Sequence, residues 1–271
     1  MNRWSFLYAQ WLKRELAGRY RGSWLGLLWP VAQPLAQIAV FTLIFHGFMQ
    51  VRWPTLGAAS TEPLSPSIPG GGDAWAYALN VFAGLAVFNF FAEVLGRAPS
   101  AVLSQPNLVT KVRFPLGLLP AVTVGAALVH IAVGVALLLL VATLGGKLSP
   151  QMAWLPLWLL PVLLYAASAA WLLSSMGVYL RDIGQAMPAL TSLLMFLTPI
   201  FYPLAAVPER LRGLFELNPV AWAAESLRGL LMNGQGLVLT EWAVHLVVST
   251  AAAGLAAVVF RRLEKGFADV I

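Results

Sequence analysis

Arg181-Asp182-Ile183-Gly184-Gln185 is followed by 23 uncharged residues, Ala186 to Pro208, and that is the pattern of one membrane crossing. The next stretch, Leu204 to Gly234, is unusual beside it. Pro199, Pro203, Pro208 and Pro219 cut the chain into short pieces, and Glu209, Arg210, Arg212, Glu216, Glu225 and Arg228 make those pieces amphipathic. None is long enough to span, since a crossing helix needs about 20 apolar residues. Pro208 suits the first turn of one short helix. Asn218-Pro219 reads as an N-cap and first helical residue of another, with Gly234 as its C-terminal stop. The spacing therefore predicts two half-helices, within 203–235, that dip into one face of the bilayer. Irregular backbone at that depth is tolerated only where protein or a water-filled cavity covers it, so the hairpin is expected to line or plug a path.

Composition agrees with a membrane chain. Of 271 residues, 59% are hydrophobic and 10% charged, against roughly 25% charged in soluble domains, and the mean hydropathy is +0.78. The net charge of +6 is not a nucleic-acid signature, because the basic residues fall in short loops beside apolar runs, where they set orientation. With no Cys, disulfides, thiolate catalysis and Cys-ligated metals are excluded. Charged and aromatic residues fill the first 21 positions, which argues against a cleaved signal peptide.

Outward from the hairpin, the chain reads as one all-α integral membrane domain, 1–271, with six transmembrane helices. The expected spans are 22–51, 74–95, 114–144, 152–180, 186–202 and 242–260. Segment 1–21 carries Trp4, Leu7, Tyr8, Trp11, Leu12, Leu16 and Tyr20 at helical spacing, with Lys13, Arg14, Arg19 and Arg21 as the basic remainder. Such a helix lies in the headgroup plane. Pro30 and Pro34 should kink the first span. With the N-terminus inside, twelve basic residues are cytoplasmic and Arg52, Lys147, Arg210, Arg212 and Arg228 are outside, which places both termini in the cytoplasm and the hairpin on the outer side.

Enzyme constellations are absent. His46, His130 and His245 are scattered in apolar runs with no HExxH, and hydrogen-bonded packing roles are expected for them. Gly146-Lys147 lacks the rest of a Walker A loop. Charges within the spans are too few for an ion-coupled carrier. In the connection 97–113, Pro99, Pro106 and Pro115 divide the chain and Asn107 is a candidate cap for a helix from Leu108 to Phe114, with Lys111 and Arg113 on it. A Pro-bounded, partly apolar, basic helix is more than a plain loop requires, and suits a docking element.

Several stretches together carry a resemblance: Leu16-Ala17-Gly18-Arg19-Tyr20-Arg21-Gly22-Ser23-Trp24-Leu25-Gly26-Leu27-Leu28-Trp29-Pro30, Asn107 to Pro115, Arg181 to Gln185, Thr198-Pro199-Ile200-Phe201-Tyr202-Pro203 and Leu217-Asn218-Pro219. In order and spacing the chain resembles the permease subunit of type-2 ABC polysaccharide exporters, which move O-antigen, capsule or teichoic-acid chains. The resemblance implies a homodimer of six-span permeases with two copies of a separate ABC ATPase. ATP and Mg would belong to that ATPase, leaving no cofactor in this chain. It also implies an interface helix carrying Trp4, Trp11, Arg14, Arg19, Tyr20 and Arg21, and ATPase coupling through Asn107, Leu108, Lys111, Arg113 and Phe114 with Arg181 and Asp182. The first and fifth spans would form the channel wall, so Phe41, Phe45, Phe48, Phe196, Phe201 and Tyr202 become candidates for a glycan path, since aromatic faces pack against sugar C–H surfaces. The implied substrate is a lipid-linked polysaccharide, and the expected partners are membrane lipids, the ATPase and a second permease. Competing readings are a small-molecule or drug exporter of the same superfamily and, less favoured for want of an acid, base or metal set, a glycan-modifying membrane enzyme. The Pro- and Gly-rich segment Thr55 to Gly72 is long for the family.

Overall fold

The computed structural model describes residues 3–20, 24, 26–41, 43–44, 47, 71–112, 114–144, 150–232 and 234–271. Every regular element among them is helical. In chain order they are α1 (Arg3–Tyr20), α2 (Trp29–Phe41), α3 (Gly71–Arg97), α4 (Pro106–Thr110), α5 (Leu118–Leu144), α6 (Leu155–Tyr179), α7 (Asp182–Phe196), α8 (Glu209–Glu216), α9 (Pro219–Leu231), α10 (Leu239–Leu263) and α11 (Phe267–Val270), joined in places by short 3₁₀ turns.

Among the described residues, four helical stretches are long and apolar enough to cross a membrane: 77–100, 118–144, 150–179 and 239–270. They overlap the segments expected as the second, third, fourth and sixth spans. The first is described over α2 and a few positions beyond it, with 45–46 and 48–70 outside the described residues. The fifth, α7, has 15 helical residues, or about 22 Å at ~1.5 Å per residue. Leu197 to Pro203 continues it as turns, because Pro199 and Pro203 cannot extend the ladder of hydrogen bonds.

The central post is α3, whose apolar window is 72% buried, whereas that of α10 is 22% buried. Around α3 pack α2, α5, α6, α7 and α9. Its Val87, Phe90 and Val94 form the main core with Leu138 of α5, Trp158 and Val162 of α6, and Leu227 and Leu230 of α9. Among the described residues the most extensive helix contact is α6 with α10, and small residues line it: Ala166, Ala170 and Ser174 on α6, Ser249, Ala253 and Ala256 on α10, all buried. Without a strong hydrophobic force between helices in lipid, such close contact supplies the dispersion that holds them.

The bundle has two ends. One gathers α1, the C-terminal ends of α3, α6 and α10, the turn 98–100, α4 and α11 around Val102, Leu116, Leu119, Val178, Phe260 and Phe267. The other gathers the N-terminal part of α3, the 198–203 turns, α8, α9 and the start of α10.

Candidate functional site

At the second end, the hairpin forms as two short helices. Pro208 is the N-cap of α8 rather than its first helical residue, with extended backbone at ψ 139°. The second helix begins where the residues place it. Asn218 caps α9, its Oδ1 accepting from Val220 N at 3.0 Å, with Pro219 in the first turn. The same side chain donates from Nδ2 to the Leu197 carbonyl at 3.0 Å and to Thr198 Oγ1 at 3.2 Å, tying the start of α9 to the end of α7. After α9 ends at Leu231, Gly234 turns the chain with φ +60°, a conformation that favours glycine.

The side chain that organises this end is Arg228. It is 1% exposed. Its Nε donates to the Asn80 carbonyl at 2.9 Å, Nη1 to the Pro199 carbonyl at 2.6 Å and to Glu225 Oε1 at 2.7 Å, and Nη2 to the Ile200 carbonyl at 2.8 Å. One guanidinium thus binds α9 to α3 and to the Pro199–Pro203 turns, and satisfies carbonyls that the prolines leave outside any helix. Burial pulls its pKa below the ordinary arginine value and the Glu225 carboxylate pushes it back. Gly84 makes room for it, because a Cβ there would collide with Arg228 Nη2. Tyr77 adds a hydrogen bond to the Phe201 carbonyl at 3.0 Å, and Trp158 one from Nε1 to the Ala223 carbonyl at 3.1 Å.

Between α9 and the start of α10 lies a cavity of about 650 Å³. One wall is Trp222 stacked on His245, ring centroids 4.1 Å apart, and His245 Nδ1 meets the Tyr165 hydroxyl at 3.1 Å.

At the first end, α1 lies against α5. The Tyr8 hydroxyl reaches the Ala121 carbonyl at 3.5 Å, burial raises its pKa, and Gly125 leaves space for its ring. Arg19, with 6% of its side chain exposed, pairs with Glu93 of α3 and also with Glu15 at 3.4 Å. Glu93 in turn meets His130 Nδ1 of α5 at 2.6 Å, and Arg97 meets Glu15 at 3.2 Å. This chain of polar groups clamps α1 to two long helices. It borders a second cavity of about 430 Å³, lined also by Gln33 and Asn89.

The described members of the expected coupling set lie at this same end. The short helix runs Pro106–Thr110 rather than Leu108 to Phe114, and Gln105, not Asn107, is its N-cap. Proline at the first helical position presets φ and starts the helix two residues earlier, leaving Asn107 exposed on it and Lys111 at its C-cap. Leu108 and Phe114 pack on the end core, and Phe114 meets Trp11 edge-on with centroids 5.5 Å apart. Arg14 lies over the Trp11 ring at 4.8 Å. Arg181 and Asp182 are exposed at the start of α7. The turn 98–100 joins these parts, packing Pro99 against Gly177 of α6 and Gly184 of α7. Trp4 is 55% exposed, and Tyr20 closes α1. Arg21 and Arg113 lie outside the described residues.

The path candidates divide. Phe196 is 65% exposed, whereas Phe201 is 4% exposed and packs in a core with Tyr77, Val81, Leu85, Phe88 and Ile200. Phe201 therefore does not face a surface of the single chain. Tyr202 is half-buried and donates to the Phe196 carbonyl at 2.7 Å. Phe41 is the last residue of α2; Phe45, Phe48 and His46 lie outside the described residues. His130 and His245 are both hydrogen-bonded. Among the described residues no three His, Asp or Glu side chains come together as metal ligands.

Sequence reasoning missed Arg228 as an anchor and Glu93 as a clamp. A signal existed for the first, since Glu225 and Arg228 at i, i+3 sit among Ala and Leu on a segment read as membrane-dipping, where an unburied charge has little reason to be.

Residues 7–232 match the family described as ABC-2 type transporter. The chain is 26% identical over 263 residues to an O-antigen export system permease protein RfbA of Myxococcus xanthus, covering 96% of this chain and 93% of that protein. It is 23% identical over 265 residues to an RfbA of the same description from Klebsiella pneumoniae, covering 95% and 92%. Taken with the apolar bundle, the match makes this a multi-pass membrane transport subunit, and the chain belongs to the ABC-2 type transporter family.

Proposed function

We propose that this chain is the permease of an ATP-driven exporter that moves a lipid-linked, O-antigen-like polysaccharide from the cytoplasm across the plasma membrane. The observation that carries the proposal is end-to-end similarity to O-antigen export permeases, at 93% and 92% coverage of their lengths, in a chain whose two ends are built differently. In this reading two copies form the channel and two copies of a separate ATPase, carrying ATP and Mg, dock at the α1 end. Six crossings with both termini cytoplasmic place the α8–α9 hairpin on the outer side, where Arg228 and Asn218 hold it against α3 and α7.

The division of labour follows from the geometry. Lys111, Arg181 and Asp182 are exposed at the end where α4 and the α6–α7 turn meet, a charged surface suited to a soluble partner. A push on α4 reaches α6 and α7 through the Pro99–Gly177 contact, since a packed backbone cannot yield there. The Arg19–Glu93–His130 chain passes a displacement of α1 to α3 and α5. The central α3 spans the distance to Asn80 and Tyr77, which hold the hairpin. Affinity purification of the tagged permease from its native membrane tests the reading. An ABC ATPase should co-purify and its ATP hydrolysis should rise with the permease present. Loss of that co-purification on replacing Lys111 and Arg113 together would assign the docking surface. Recovery of the permease without any ATPase under mild detergent would reject the proposal.

A further inference from the structure

The 650 Å³ cavity between α9 and α10 touches the latch at Glu225, which accepts from Arg228, and lies away from the coupling end. Its volume lies within the ~300–1,000 Å³ of small-molecule sites. Its polar lining includes three carboxylates, Glu216, Glu225 and Glu241, with Ser226, Gln235 and Thr240, which both donate and accept, beside them. Among the described residues, no Lys or Arg lines it. The nearby cation, Arg228, is 1% exposed; it donates to three carbonyls behind the wall and from Nη1 to Glu225 Oε1 at 2.7 Å, so it offsets the Glu225 charge without itself lining the cavity. The carboxylates do not converge as a metal site. The aromatic wall is held flat, because Trp222 is stacked on His245 and His245 is tethered to Tyr165.

A ligand for such a cavity must bring hydrogen-bond donors, carry no negative charge and present an apolar face to a ring. A pyranose ring does all three: its hydroxyls donate to carboxylates, and its C–H face packs on aromatic carbon. A uronic acid or sugar phosphate would set like charges against Glu216 and Glu241, beside a Glu225 that Arg228 already offsets, and like charges in contact disfavour both binding and ionisation. We propose that the α9–α10 cavity is a binding subsite for a short segment of neutral, hydroxyl-rich glycan and that it rejects acidic glycan. This rests on the exporter reading above only for the origin of the sugar, a chain emerging beside the hairpin.

The test is equilibrium binding to the purified permease–ATPase complex, by saturation-transfer NMR and calorimetry, with maltotriose as the neutral probe and trigalacturonic acid as the acidic one. Maltotriose should bind saturably and at least tenfold more tightly than trigalacturonic acid. Glu241 is exposed at the mouth of the cavity, so Glu241→Lys is a variant that leaves the core intact, and it should narrow or invert the preference. Gln235→Ala, also at an exposed position, should weaken maltotriose at least threefold without favouring the acidic sugar. No saturable maltotriose binding, equal binding of both probes, or a preference untouched by Glu241→Lys would each overturn the proposal. Surface export by the wild-type complex is measured alongside. Export without sugar binding in the cavity rejects this inference and leaves the exporter standing, whereas binding without export of any glycan rejects the exporter and leaves the subsite.

Discussion

Arg228→Met removes a guanidinium that donates to the carbonyls of Asn80, Pro199 and Ile200 and to Glu225, while keeping much of the aliphatic stem. Hydrogen bonds from a charged group are worth about 1.5–3 kcal/mol each, so the three carbonyl bonds set a gross loss of roughly 4.5–9 kcal/mol. Against this, methionine no longer needs the desolvation of a cation, and the net cost of breaking such buried arrangements is about 3–5 kcal/mol. Glu225 adds little, since its side chain is 35% exposed and water screens it once unpaired. For a chain of this size each kcal/mol corresponds to roughly 2–4 °C of melting temperature, so a fall of roughly 10 °C is expected. Thermal unfolding in detergent, followed by size-exclusion of the surviving folded permease, reads this directly. Glu225→Gln keeps all three carbonyl bonds and should lose about 1 kcal/mol or less. An Arg228→Met protein melting within roughly 2 °C of wild type would refute the latch, because three buried carbonyls cannot lose their donors at so small a cost.

Other outcomes follow from the same contacts. Asn218→Ala loses the α9 cap and two donated bonds, for about 1–2 kcal/mol, and Asn218→Asp, which keeps the cap alone, should fall between it and wild type in the same melting assay. In a double-mutant cycle, Arg19→Ala and Glu93→Gln should show a coupling of about 1–3 kcal/mol, and simple additivity would show that α1 is not clamped there. Gly177→Val drives a side chain into the Pro99 backbone and should cost about 1–3 kcal/mol and reduce ATPase co-purification, while Gly96→Ala, with nothing within 4 Å of the added carbon, should do neither. Because the chain has no Cys, Gly213→Cys on exposed α8 should react with a membrane-impermeant maleimide applied outside intact cells; labelling only after the cytoplasm is opened would reverse the topology.

What could be read from the chain was what short-range physics decides. Asn218-Pro219 marks the start of α9 because a cap and a preset φ act over three residues. Long uncharged runs mark α3, α5, α6 and α10 because bilayer thickness sets a length. The helix before Phe114 shifted toward its N-terminus because Pro106 outcompetes Asn107 as a start signal. Arg228 was hidden because its partners lie 28 to 148 residues away, so a Glu–Arg pair on one short helix reads as a solvated face. Glu93 looked like the charged end of a span for the same reason, its partners being Arg19 and His130, 74 and 37 residues distant. Phe201 shares its aromatic chemistry with Phe196, and only packing tells the buried ring from the exposed one.

Deleting the gene in its native host and quantifying surface glycan against the intracellular lipid-linked pool tests the central claim most directly. For a glycan-exporting permease, surface glycan is lost, lipid-linked chains accumulate inside, and the wild-type gene restores export. Unchanged surface glycan in the deletion strain, with no internal accumulation, would contradict that claim.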